Sequence, residues 1–305
     1  MTLTGVNDFA RVQELKKLAT AFIAEHGDFA LERVEGDEVD VARLRESVNS
    51  LPFLTPRKMV ILREPGKQKA WAEQISDILK DVTDTTDVII VEPKLDKRLS
   101  YYKTLKKATD FREFTDLDAS GLGRWAADFA KGQGGSLSGA DAKFLIDRVG
   151  LNQQLLEQEL HKLLAYDLQI TKQTIELLTE RTPQSTVFEL LDAAFAGRAK
   201  QTMELYREQR TLKVEPQAII AMLAWQLHVL AMLKTASGRS VDEIAREGKL
   251  NPYVVRKSQN LVRALSLEML KQYIAQLLQL DLNLKTKSVD ADEALQHYLL
   301  ALAIS

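Results

Sequence analysis

The 305-residue chain contains no cysteine. That excludes disulfides, thiolate nucleophiles and every metal site built on Cys, and it fits a reducing compartment. Histidine is nearly as scarce. His26, His161, His228 and His297 are scattered, with no HExxH and no other close pair, so no metal site is expected. A basic excess is missing too: 41 Lys and Arg stand against 43 Asp and Glu, for a net charge of −2. Such a balance argues against holding DNA mainly by bulk charge, although local basic patches stay open. No apolar run is read as reaching the roughly 18 residues that span a bilayer. The N-terminus lacks the basic-then-apolar layout of a secretory signal. A cytoplasmic protein with no membrane partner is expected.

What is present is a globular composition, 45% hydrophobic and 28% charged, long enough for two or three domains. The first part alternates strand and helix signals. "TLTG" ends a short strand at Gly5, and Asn7 or Asp8 caps a helix with the stripe Phe9, Val12, Leu15, Leu18 or Ala19, and Phe22. "FALERV", "KMVIL", "DVIIV" and "DFREF" read as further strands, with helices near Val41–Val48, Lys69–Lys80 and Lys97–Lys107 between them. This alternation predicts βαβ units and a parallel sheet covered by helices. After about Asp116 the β signal disappears, and every later segment reads as helix. "GQGGSLSG" connects two helices, Ser138 and Thr171 start helices, and "NPYVV" opens another with Asn251 as cap and Pro252 at its first position. The fold class is α/β plus all-α.

A strand–glycine–helix opening invites a phosphate-binding loop, which requires G-x-x-x-x-G-K-[ST]. "GVNDFARVQE" instead puts Ala10, Arg11 and Val12 at the second Gly, the Lys and the Ser/Thr positions. The strands "VILRE" and "VIIVEP" do not end in an adjacent Asp-Glu pair that would polarise Mg²⁺. No G-x-S-x-G elbow or paired carboxylate scaffold appears, so no catalytic residue and no cofactor are assigned. The densest basic patch is "PKLDKRLSYYKTLKK". Its Lys97, Arg98, Lys106 and Lys107, with Tyr101 and Tyr102 interleaved, suit either nucleic-acid contact or an ordinary exposed helix face.

The stretch "NSLPFLTPRKMVIL" places Leu51, Phe53 and Leu54 next to two prolines, Pro52 and Pro56. Either these side chains fold under and seal the sheet, or the prolines hold them extended for a partner at a low entropic cost. The residues alone leave both readings open.

Taken in order, these motifs resemble the delta subunit family of bacterial DNA polymerase III, the clamp-loader component that opens the sliding clamp. "LTGVNDF" is similar to the family's L-x-G-x-[ND]-x opening, and "SLPFLTPRKMVILRE" to its S-L-P-F-F-x-x-R-[KR]-x-V-x-[VL] segment. "DVIIVEPKLDKRLSYYKTLKK" and the helices from "VFELLDAAF" to "DADEALQHYLLAL" follow the family as well. The resemblance implies an AAA+-like parallel α/β domain over 1–116, a helical lid over 117–183, and a helical collar for oligomerisation over 184–305. It implies a subunit that does not hydrolyse ATP. The partners it implies are the sliding clamp (the beta subunit), the ATPase subunits, delta-prime, and DNA through the assembled complex. It puts the clamp-binding wedge on Phe53 and Leu54, supported by Leu51 and Pro52, with Leu54 where many relatives carry a second Phe. Competing readings are an active P-loop ATPase or helicase-type motor, and a helical scaffold that binds DNA through the 94–107 patch.

Overall fold

A computed structural model describes residues 1–36, 38–236, 238–263 and 265–304, leaving aside the side chains of 183–185. It divides into two compact units, Met1–Leu117 and Asp118–Ser305.

In the first unit the strands are β1 (Thr2–Thr4), β2 (Leu31–Glu35), β3 (Lys58–Arg63), β4 (Thr86–Glu92) and β5 (Phe111–Glu113). They form one sheet in the order β2-β3-β4-β1-β5, and all four pairings are parallel. The helices between them are α1 (Asp8–His26), α2 (Val41–Asn49), α3 (Lys69–Lys80) and α4 (Ser100–Ala108). The two-residue period of a strand sorts the apolar side chains between the faces. Met59, Ile61, Ile89 and Val91 pack with Leu3 against Leu15, Ala19 and Phe22 of α1. Val60, Leu62 and Ile90 pack on the other face against α2, α3 and α4, where Trp71 and Leu105 are buried. The central strands therefore read as continuous apolar runs, as expected for a sheet covered on both sides.

Two expectations need correction here. Along α1 the buried stripe is Arg11, Leu15, Ala19 and Phe22, while Val12 is exposed. Arg11 takes the inward place of Val12, with its guanidinium on the Gly5 carbonyl and the exposed Asp8. "FALERV" also starts its strand late. Asp28–Ala30 form a 3₁₀ turn after Gly27, whose φ of 85° ends α1, and only Leu31 onward pairs with β3.

The second unit is mainly helical: α5 (Ala119–Gly132), α6 (Gly139–Val149), α7 (Gln153–Tyr166), α8 (Lys172–Leu178), α9 (Pro183–Phe195), α10 (Ala199–Thr211), α11 (Pro216–Thr235), α12 (Val241–Gly248), α13 (Pro252–Arg263), α14 (Leu267–Thr286) and α15 (Ala291–Ile304). The cap expectations at Ser138, Thr171 and Asn251 match observed side-chain bonds, to the amides of Asp141, Thr174 and Tyr253. β structure does not end at Asp116, however. β6 (Ser136–Leu137) and β7 (Gln169–Ile170) pair in parallel. Two-residue strands carry no periodicity, so tertiary contact alone makes them. Gly135 permits the approach, since a Cβ there would lie 2.7 Å from the Leu168 carbonyl oxygen.

α11 also departs from the expected lack of long apolar runs, being long and apolar enough to cross a membrane. Here it is a core helix. Ile219, Leu223, Leu227 and Leu230 are fully buried among α9, α10, α14 and α15. Between α5–α6 and α13 lies a cleft of about 970 Å³ lined by Lys143, Asp147, Tyr253 and Lys257. The Tyr253 hydroxyl donates to Asp147 across it.

Candidate functional site

Only Gly5, Val6 and Asn7 lie between β1 and α1, too few residues to wrap a phosphate as an eight-residue P-loop does. The turn is also sewn shut. Asn7 donates its amide to the Phe114 carbonyl at 3.1 Å, and its side chain accepts from the Ala10 amide at 2.9 Å. Arg11, at the lysine position of the motif, is buried and turns its guanidinium onto the Gly5 carbonyl and Asp8. Gly5 has φ 113°, and a Cβ there would meet the Phe114 carbonyl oxygen at 2.0 Å. This glycine serves strand packing.

At the end of β4, Glu92 is buried and accepts from the Gly66 amide at 2.6 Å and the Tyr101 hydroxyl at 2.9 Å. Trp71 donates to the same hydroxyl at 3.3 Å. Burial raises the Glu92 pKa, and these two hydrogen bonds oppose the rise. Oε1 of the carboxylate is thus occupied by the protein's own donors.

The basic patch separates by residue. Lys97 pairs with Glu113 at 2.8 Å, and Arg98 pairs with Asp96 at 2.6 Å, which holds the Asp96 carboxyl at about 2. Lys106 lies 5.7 Å from the centre of the Tyr102 ring, and Lys107 is exposed. Tyr101 and Tyr102 are both buried, so neither face is open to stack on a base.

The loop between α2 and β3 is different. Leu51, Phe53 and Leu54 are 72%, 80% and 86% exposed, with Pro52 half-buried between them. Among the described residues of the first unit they are three of the largest apolar side chains left in water. They do not fold under the sheet. Leu54 has φ 65°, a left-handed conformation that costs a residue with a Cβ roughly 1–2 kcal/mol. Both feet of the loop are held. The buried Lys58 donates to the Ser47 carbonyl at 2.6 Å and the Ser50 hydroxyl at 2.7 Å at one foot. At the other, Arg57 donates to Asp87 at 2.9 Å and to the Asp84 carbonyl at 2.9 Å. Burial lowers the Lys58 pKa. The sequence reading missed these two anchors, although "RK" directly after the prolines was the available signal.

The profile for the DNA polymerase III delta subunit matches residues 2–114, and that for its C-terminal domain matches residues 184–302. The chain belongs to the DNA polymerase III delta subunit family. It is 24% identical over 294 residues to DNA polymerase III subunit delta of Bacillus subtilis (strain 168), across 91% of this chain and 85% of that protein. Its fold matches that of the Bacillus subtilis DNA clamp loader delta protein with a TM-score of 0.79, at 22% identity, across 100% of this chain and 95% of the other.

One further surface of this family member lies on α14. α14 carries apolar residues from Leu267 to Leu282 on more than one face. Leu270, Tyr273, Leu277 and Leu280 are buried, whereas Leu267, Ile274, Leu278 and Leu282 stay exposed. The helix is apolar on two sides, and the core uses one of them.

Proposed function

We propose that this delta-family chain binds the sliding clamp through Phe53 and Leu54 and opens the ring mechanically, without hydrolysing ATP. The observation that carries the reading is Leu54 itself, a large apolar residue held left-handed at an exposed tip whose two feet are pinned. Strain of this kind persists where the surrounding structure over-determines it, and it gathers at binding sites. A pre-formed loop loses little entropy on docking. Two such side chains entering a pocket contribute roughly 1.5–3 kcal/mol each. A wedge that prefers the opened interface shifts the ring's equilibrium by that difference in affinity, and by no more.

The closed β1–α1 turn, the inward Arg11 and the occupied Glu92 support the absence of ATP turnover. Leu51 and Pro52 brace the wedge. The exposed α14 stripe is the face we assign to the collars of the ATPase and delta-prime subunits. In this reading 117–183 forms the lid and 184–305 the collar. Lys97, Arg98, Lys106 and Lys107 carry at most salt-sensitive DNA contact in the assembled loader.

Calorimetric titration with the clamp of the same organism tests the wedge. The F53A/L54A variant should lose at least about 100-fold in affinity, the equivalent of about 3 kcal/mol. Unchanged affinity would refute the assignment, and ATP turnover by the isolated chain would refute the non-hydrolytic part.

A further inference from the structure

We infer that Phe29 is a second clamp anchor, gripping the same ring beside the Phe53–Leu54 wedge. The inference rests on the clamp-binding reading above and extends its contact surface to another element.

Phe29 is 96% exposed. Its position follows from the chain around it. Gly27, with φ 85°, ends α1, and the three-residue turn Asp28–Ala30 closes through the Ala30 amide on the Gly27 carbonyl at 3.2 Å. Ala30 is buried against Leu15, Ala19 and Phe22. In so short a turn, with Ala30 taking the inward place, Phe29 is directed into water.

The sheet topology brings Phe29 to the wedge. β2 and β3 are adjacent and parallel, with Leu31 opposite Met59. Parallel strands begin at the same edge of a sheet, about 4.8 Å from one another. Phe29 precedes β2 by two residues, and the wedge loop runs directly into β3. A second observation ties the two together. The pKa of Arg57, at the loop's foot, is raised first by its hydrogen bond to Asp87, and Glu25 in the last turn of α1 adds to the rise. Glu25 is therefore within electrostatic range of Arg57.

Scattered single apolar residues on a surface need no explanation, but a cluster does. Phe29, Leu51, Phe53 and Leu54 leave the sheet at one edge, on neighbouring strands. Among the described residues, the large apolar side chains exposed elsewhere in this unit are the aliphatic Val6, Val12 and Leu99. Buried aromatic anchors dominate interface energies. The mechanical reading also gives Phe29 a task. A single wedge can swivel in its pocket, whereas two anchors on a rigid sheet edge fix the angle through which the ring is strained.

The test is titration of the full chain with the clamp of the same organism, comparing wild type, F29A, F29W and F53A/L54A. F29A should weaken binding by about 10- to 30-fold at an unchanged melting temperature, and F29W should stay within about threefold of wild type. If F29A binds like wild type while F53A/L54A loses affinity, the second anchor is overturned and the wedge stands. If neither variant loses affinity, the clamp-binding reading falls and the anchor falls with it. An F29A chain that melts markedly earlier would also overturn the proposal, because Phe29 would then be a core residue.

Discussion

Lys58 Nζ lies 2.7 Å from Ser50 Oγ and 2.6 Å from the Ser47 carbonyl, joining the first residue of β3 to the last turn of α2. A cation at a helix C-terminus is favourable because the unpaired carbonyls there carry the negative end of the helix dipole. Here the same cation fixes the distance across which the wedge loop must arch. Replacing Lys58 with Met keeps the apolar stem and removes both bonds. Since hydrogen bonds to charged groups contribute roughly 1.5–3 kcal/mol, K58M should lower the melting temperature. Amide hydrogen exchange over 50–57 should accelerate, and clamp affinity should fall with it. Exchange at the wild-type rate would show that Lys58 does not brace the loop.

Leu54 should show opposite effects on stability and binding. Glycine at this position relieves the left-handed strain at φ 65° and removes the exposed side chain. L54G is expected to raise folding stability by up to about 1 kcal/mol while weakening clamp binding. Denaturant unfolding and the clamp titration measure the two effects separately. A destabilised L54G would argue against strain at the tip.

The Glu92 carboxyl predicts a pH effect with a definite sign. Burial raises its pKa above the ordinary value of 4.5, so the folded state holds the proton more tightly than the unfolded state. Its contribution to stability is then fully present below pH 4.5 and is lost as pH rises through the raised value. E92Q keeps an acceptor for the Gly66 amide and removes the titration. Its stability should vary less with pH across that window than wild type does, as read by thermal melts at a series of pH values. Parallel curves for the two proteins would sink the assignment.

On α14 the two apolar faces should respond differently. Leu278 and Leu282 are exposed, so L278D/L282D should leave the isolated chain folded and prevent its assembly with the other loader subunits in size-exclusion chromatography. Leu277 is buried, and L277A should destabilise the chain by about 2–5 kcal/mol without altering the assembly face. Normal assembly of L278D/L282D would refute the collar contact.

Much of the fold was legible because its signals are local. β3 and β4 announce themselves as apolar β-branched runs, and Ser138, Thr171 and Asn251 mark helix starts by the chemistry of their own side chains. What failed did so for lack of local pattern. β6 and β7 are two residues each, and no period exists in two residues. The α1 stripe was misread at Val12 because an arginine was not expected inside, yet the Arg11 guanidinium bonds the Gly5 carbonyl and Asp8 there. The two faces of α14 cannot be told apart in sequence, because a leucine pattern records only that a surface is apolar, not what covers it.

The residues of the β1–α1 turn by themselves spoke against a working phosphate loop, since Ala10, Arg11 and Val12 stand where the motif needs Gly, Lys and Ser/Thr. The family resemblance of the motifs put the candidate wedge on Phe53 and Leu54. Two things were left to tertiary structure. One is that Leu51, Phe53 and Leu54 stand in water and do not seal the sheet, which follows from Lys58 and Arg57 pinning the loop to α2 and to the start of β4. The other is that Phe29 emerges beside them, which depends on the pairing of β2 with β3. Both are relations between segments distant in the chain, and pairwise contacts of that kind leave no periodicity for a sequence to display.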